Sequence, residues 1–196
     1  MAINTKEKYI FTDILNKGIK KGYVPGKTKE AIDWFRQTAR RTRDVSRADL
    51  LAERSQVRTG PKPGSMYMFA YDAKTKDKLP YWDAFPVIFM VGSAKTGFYG
   101  INLHYLPPAL RAAAMDELYE DVTDPTLSNR ARIKVQNIAD SRFFKPCLKQ
   151  YLPSQMRSNL ILISPDTWDI ALWLPTEQFQ KASNQKVWAD STRKIS

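Results

Sequence analysis

The chain has 196 residues, 43% of them apolar and 12% aromatic, which suits one domain or one core domain with an appended arm. Its single cysteine, Cys147, excludes an internal disulfide and a cysteine-rich zinc site. The net charge of +11 is unevenly placed: residues 1–62 hold 15 Lys and Arg against 7 Asp and Glu, whereas residues 63–196 hold 16 against 13.

A basic segment joined to a nearly balanced body points to an arm that meets something anionic, either nucleic acid or an acidic protein surface. The opening Met1-Ala2-Ile3-Asn4-Thr5-Lys6-Glu7 lacks the apolar run of a signal peptide. No apolar run, the one at Pro86 to Val91 included, comes near the roughly 20 residues needed to cross a bilayer. The expectation is a protein neither exported by a classical route nor embedded in a membrane.

In chain order, residues 1–27 read as a loose lead-in. Tyr9, Ile10, Phe11, Ile14 and Leu15 are its apolar anchors, and Gly18, Gly22, Pro25 and Gly26 break it up. A helix is expected from Thr28, which can cap, with Glu30 complementing the dipole in the first turn. It runs to about Arg58, bent or interrupted near Asp44-Val45-Ser46. Thr59-Gly60-Pro61-Lys62-Pro63-Gly64 then ends it and marks the arm–core boundary.

The core opens with a strand over Ser65–Tyr71, rich in aromatics. A loop from Asp72 to Phe85 carries Lys74, Lys76 and Lys78. Strands at Pro86–Val91 and Gly97–His104 are joined by a hairpin-like connection. Pro108 suits the first turn of a helix over 108–120, and Asp124-Pro125 signals a second to about Ala139. A short helical stretch at Cys147–Tyr151, a strand at Asn159–Ser164 and a Trp-rich helical segment ending at Leu174-Pro175 follow. The tail from Lys181 is polar apart from Val187 and Trp188 and reads as an arm or edge element.

The expected fold class is therefore α+β, a small antiparallel β-sheet or partial barrel surrounded by helices, with a basic helical N-terminal arm. The organisation divides into a basic arm over 1–62, a core over 63–180 and a polar tail over 181–196.

Catalytic chemistry is poorly supplied, and no catalytic or metal-binding residue is assigned. His104 is the only histidine, and a dyad with Cys147 lacks a recognisable third orienting group or oxyanion loop. A hydrogen-bonded histidine locking a turn is the better reading. Gly92-Ser93-Ala94-Lys95-Thr96-Gly97 fails as a phosphate-binding loop, because Gly97 is followed by Phe98-Tyr99 and a strand instead of the Lys-Ser/Thr that opens a helix.

Asp116, Glu117, Glu120, Asp121 and Asp124 form an acidic cluster at a helix end. Metal-dependent nucleases draw their carboxylates from separated segments, so this cluster reads as a solvated face or as a docking face for a basic partner.

The most specific feature is an arginine stripe. Arg36, Arg40, Arg43 and Arg47 are spaced four, three and four apart, with Lys29 seven before and Arg54 eighteen after Arg36. On a continuous helix all six share one face. Guanidinium groups grip phosphate or carboxylate with paired bonds. The competing reading is a solvated face supported by Asp33 and Asp44, although a plain surface helix would carry more acids at those positions.

Trp82, Trp168, Trp173 and Trp188, with Tyr67, Tyr71, Tyr99 and Tyr105, could stack on bases, but most flank apolar runs and suit core packing better. Trp34 and Trp188 sit in polar surroundings and are the better interface candidates.

Four runs carry a resemblance: Leu79-Pro80-Tyr81-Trp82-Asp83-Ala84-Phe85-Pro86, Gly97 through Pro107, Arg142-Phe143-Phe144-Lys145-Pro146-Cys147 and Ala171-Leu172-Trp173-Leu174-Pro175-Thr176-Glu177. They resemble a family from large contractile-tailed phages, described as DNA end-protector or virion structural proteins. The resemblance covers roughly residues 65–188 and brings no catalytic residues with it. It implies a non-enzymatic virion protein, made in the host cytoplasm, whose basic arm binds DNA or an acidic virion surface. The alternative is a purely structural neck, tail or baseplate component. The partners implied are other virion proteins, in multiple copies of a symmetric assembly, and phage DNA. No cofactor, membrane or small-molecule substrate is implied.

Overall fold

The structure is a computed structural model, and it describes residues 9–23, 29, 62–123, 141, 143–163, 165–173 and 176–196. Its frame is a five-stranded antiparallel sheet in the order β5-β4-β3-β1-β6. The strands are β1 (Met66–Met68), β3 (Val87–Ala94), β4 (Gly97–Asn102), β5 (Leu148–Tyr151) and β6 (Ile161–Ile163). A second, two-stranded sheet pairs β2 (Trp82–Asp83) with β7 (Phe179–Gln180). The five-stranded sheet is open, so it is the sheet and not the partial barrel that forms.

The sequence dictates this frame through alternation. Successive side chains of a strand point to opposite faces. Met66, Met68, Val87 and Phe89 accordingly enter one apolar cluster, while Tyr67, Ile88 and Met90 enter another on the opposite face. Because both faces are covered, the strands read as unbroken apolar runs.

β3 and β4 form a hairpin with Ala94 opposite Gly97, which leaves Lys95 and Thr96 as its two-residue connection. A bulge at Val91 shifts the register between Met90 and Gly92. Gly97 is required at this hairpin end: a Cβ there would lie 2.0 Å from the Tyr151 carbonyl oxygen on β5.

Three α-helices have their bounds among the described residues. α1 (Ile10–Lys20) buries Phe11 and Leu15. α2 (Pro108–Thr123) begins at Pro108, where a proline costs no hydrogen bond, and buries Ala112, Ala114, Met115 and Leu118. α3 (Asn184–Ile195) is capped by Ser183, whose hydroxyl accepts from the Lys186 N–H, and buries Val187. These buried side chains all join the first cluster, together with Trp168 from the 3-10 helix Pro165–Leu172. The second face is closed by aromatic packing, with Tyr151 edge-on to Phe69 at 5.2 Å and stacked on Phe98 at 5.7 Å.

Several expectations need correction. The lead-in contains a helix, α1, docked into the main core. The stretch 147–151 is mostly strand β5, because its pairing with β4 from Phe98↔Tyr151 to Ile101↔Leu148 outweighs local helical tendency. The polar tail folds as α3 and packs on the core. The helices expected over 28–58 and 125–139 lie outside the described residues, apart from Lys29.

Candidate nucleic-acid interface

Beneath the two-stranded sheet sits a buried polar network built around Asp83. One oxygen of Asp83 accepts from the Phe85 N–H at 3.0 Å, and the other meets His104 Nδ1 at 2.7 Å and the Asn102 amide at 3.1 Å. Asn102 also donates to the Tyr151 hydroxyl and accepts from the His104 N–H, capping the 3-10 turn Leu103–Tyr105. His104 Nε2 lies 3.2 Å from the Thr176 hydroxyl, and the Trp188 indole N–H donates to the His104 carbonyl at 2.9 Å.

Carboxylate, imidazole and hydroxyl in line superficially resemble a hydrolase relay. Here His104 and Thr176 are both 0% exposed, so the hydroxyl is presented to no substrate. Both ring nitrogens of His104 have oxygen partners, neither of them Cys147. Burial pushes the Cys147 thiol up to about 12, with Lys149 and Arg111 opposing it. The histidine locks a turn and joins β2, β4 and α3.

A second buried tie runs alongside. Arg111 of α2 is buried, donates to the Leu103 and Leu106 carbonyls, and is ion-paired with Glu177. Glu177 in turn accepts from the Asn184 amide at 2.7 Å, at the start of α3. A buried cation is tolerated when it is paired and its donors are used, as here.

These ties position the walls of a cleft of about 570 Å³. Edge strand β5 forms one wall, the loop from Tyr71 to Trp82 another, and Lys194 of α3 reaches in from a third side. Among the described residues that line it, Lys74, Lys149 and Lys194 are the cations and Asp83 is the one acid. Because Asp83 is buried and already accepts from three donors, the cleft is cationic in effect. Tyr81, Trp82 and Tyr105 add aromatic surface.

The Lys149 ammonium donates to the Pro146 carbonyl at 2.8 Å and stands 4.1 Å from the centre of the Tyr105 ring. Burial pulls it down to about 8; Cys147 opposes that shift and Lys194 adds to it. The same burial pushes the Tyr105 hydroxyl well up.

The loop wall is held from both ends. Asp72 pairs with Lys76 and Arg157, which keep its carboxyl below the usual range. Lys181 adopts a left-handed conformation, with φ of 67°, and donates to the Lys76 and Leu79 carbonyls while lying 5.6 Å over Trp82. Tyr81 is tied through its hydroxyl to Asp190 of α3.

Arg36, Arg40, Arg43, Arg47 and Arg54 lie outside the described residues, as does Trp34; Lys29 is helical and exposed. Within the acidic cluster, Asp116 is 6% exposed and turned into the core, whereas Glu117 is exposed. Asp116 is thereby removed from any docking face. The side chains of Glu120 and Asp121, and all of Asp124, lie outside the described residues. Among the described residues no group of three or more His, Cys, Asp and Glu could hold a metal ion. No described helix is long and apolar enough to cross a membrane.

Of the aromatics, Tyr67, Tyr105, Trp168 and Trp173 are buried in the core, while Tyr71, Trp82 and Trp188 are half-buried. Sequence reasoning missed the cleft. Lys149 and Lys194 carry no local motif, and tertiary pairing alone brings them to Trp82.

A family model described as phage T4 terminal DNA protecting protein matches residues 1–191. The match takes in the basic segment as well as the core, extending the resemblance at residues 65–188 in both directions. No curated protein and no solved structure matches the chain.

Proposed function

The chain belongs to the family of phage T4 terminal DNA protecting proteins, and from that membership we propose that it is a virion protein that binds the ends of linear phage DNA. The match over residues 1–191 carries this reading, because it spans the basic residues 1–62 as well as those that follow. Supporting it is the charge step, +8 over residues 1–62 against +3 over the remainder. A protein that neutralises phosphates gains affinity by releasing their counterions.

In this reading Lys29, Arg36, Arg40, Arg43, Arg47 and Arg54 form the phosphate-contacting face of the arm. Guanidinium groups suit the task because each stays charged and donates paired bonds to a phosphate. The role is guarding, with no chemical step assigned to the chain, and neighbouring virion proteins complete the assembly.

The test is binding of linear duplex DNA across a salt series, together with protection of its ends from an exonuclease. Binding should weaken steeply with salt, by nearly one unit of logarithmic slope per phosphate neutralised. Arg40→Glu combined with Arg43→Glu should flatten that slope and remove protection. If the double variant binds and protects as wild type but fails to enter particles, the arm docks on an acidic virion surface instead. If wild type neither binds nor protects DNA ends, the reading fails.

A further inference from the structure

We propose that the cleft between β5, the Tyr71–Trp82 loop and α3 seats the phosphate-bearing terminal nucleotide of a DNA strand, with the base against Trp82 and Tyr81 and the phosphate at Lys149 and Lys194. This rests on the DNA-end reading and assigns it a location distinct from the basic arm.

Size comes first. At about 570 Å³ the cleft falls within the roughly 300–1,000 Å³ range of small-ligand sites, so it fits a terminal residue and not a duplex. Charge is next. Among the described residues three lysines line it, and its one acid is already engaged by the Phe85 N–H, Asn102 and His104. An anion entering there meets no unpaired carboxylate among the lining residues.

Surface chemistry is third. Trp82 and Tyr81 are half-buried and line the cleft, while Lys181, which does not line it, lies over the Trp82 ring. Base–aromatic stacking is tolerant of sequence, as a protein that meets any terminal base requires. An ammonium has three donors, and Pro146 takes one from Lys149, so a phosphate can take others. The Asp83–His104 network, the Tyr81–Asp190 tie and the Lys181 clamp fix the walls before any ligand arrives. A preformed site loses less on ordering.

The experiment compares a blunt duplex bearing 5′-phosphates with the same duplex closed by hairpins at both ends. The full chain should bind the open duplex at least about tenfold tighter at fixed salt. Lys149→Met with Lys194→Met should reduce that preference to within about twofold, with an unchanged circular dichroism spectrum, while affinity for the closed duplex, held by the arm, changes little.

In parallel, wild-type protein is photocrosslinked to a duplex carrying 5-iodouracil at its terminal position, which works even if the cleft variant misfolds. Adducts should map to Tyr81 or Trp82. If wild type prefers open ends but the folded variant keeps that preference, or if adducts fall only within residues 1–62, the cleft assignment is overturned and the DNA-end reading stands. If wild type binds open and closed duplexes equally, the cleft assignment is overturned and only DNA binding remains. If wild type binds neither, both fall together.

Discussion

Asp116, midway along α2, caps the N-terminus of α1 from 105 residues away: its carboxylate accepts from the Phe11 N–H at 2.6 Å. Its other oxygen accepts from the Thr12 N–H at 3.1 Å and from the Thr12 hydroxyl at 2.6 Å. A helix leaves its first N–H groups without intrahelical partners and carries partial positive charge there. Tyr9, at the capping position, provides no side-chain cap. The cap is therefore supplied in tertiary contact, and it fixes α1 against α2 where Phe11 meets Tyr119 edge-on at 5.3 Å.

Replacing Asp116 with Ala should destabilise the protein by roughly 1–3 kcal/mol, combining a lost cap with unsatisfied buried N–H groups. Asp116→Asn should cost less, because one oxygen remains as acceptor. Urea denaturation followed by circular dichroism measures both. Equal stability of Asp116→Ala and wild type would show that the cap contributes nothing.

Gly18 of α1 faces Trp173, and a Cβ at that position would lie 2.5 Å from the indole ring. In an open helix, Gly→Ala gains about 1 kcal/mol of propensity. Here overpacking of about 1–3 kcal/mol opposes it. Gly18→Ala should therefore destabilise by up to about 2 kcal/mol in the wild-type background. In a Trp173→Leu background the same change should become neutral or stabilising. A thermal double-mutant cycle decides it, and additive effects would mean that the two residues are not in contact.

Gly18 also shows why part of the fold escaped the sequence. As a local signal it breaks helices; in the fold it is the notch that lets α1 approach Trp173. The apolar and aromatic runs of the strands at Met66–Met68 and Val87–Met90 and the helix start at Pro108 are local patterns, and they were legible. The hairpin was legible too, but its connection, expected over Gly92–Gly97, shrinks to Lys95 and Thr96 because β3 runs on to Ala94. β5 was not, because Leu148-Lys149-Gln150-Tyr151 becomes a strand only by pairing with β4. His104 was legible as a turn lock, but its partners Asp83 and Thr176, 21 and 72 residues away, were not. The cleft has the same cause: its lysines come from a loop, an edge strand and the last helix.

Cys147 should resist thiol reagents in the native protein. With the thiol held near 12, the thiolate fraction at pH 8 is about one in ten thousand. A chromogenic disulfide should label it only as fast as the protein opens, and rapidly once denatured. Fast native labelling would place the thiol in a far wetter environment than its buried position beside Phe144 and Leu148.

Lys149 makes the fold sensitive to alkaline pH in a definite direction. Burial lowers its ammonium from 10.5 to about 8 in the folded state, so between those values the unfolded chain binds more protons. Stability then rises with pH across that window. Below pH 8 both states are protonated and the burial cost is felt in full. Cys147 acts the other way: its raised thiol makes the folded state bind more protons between 9 and about 12, so stability falls there. The wild-type curve mixes the two effects, and a comparison with Lys149→Met separates them. The variant should be more stable than wild type at pH 7, by about 1–3 kcal/mol, with the gap closing as pH rises from 8 towards 10.5. Adding the 5′-phosphorylated duplex should reverse the order at pH 7, because a phosphate at Lys149 favours the charged form and stabilises wild type alone at that contact. Urea midpoints at pH 7, 9 and 10, with and without the duplex, measure both effects. A gap that stays constant with pH would mean that Lys149 titrates as it does in the unfolded chain.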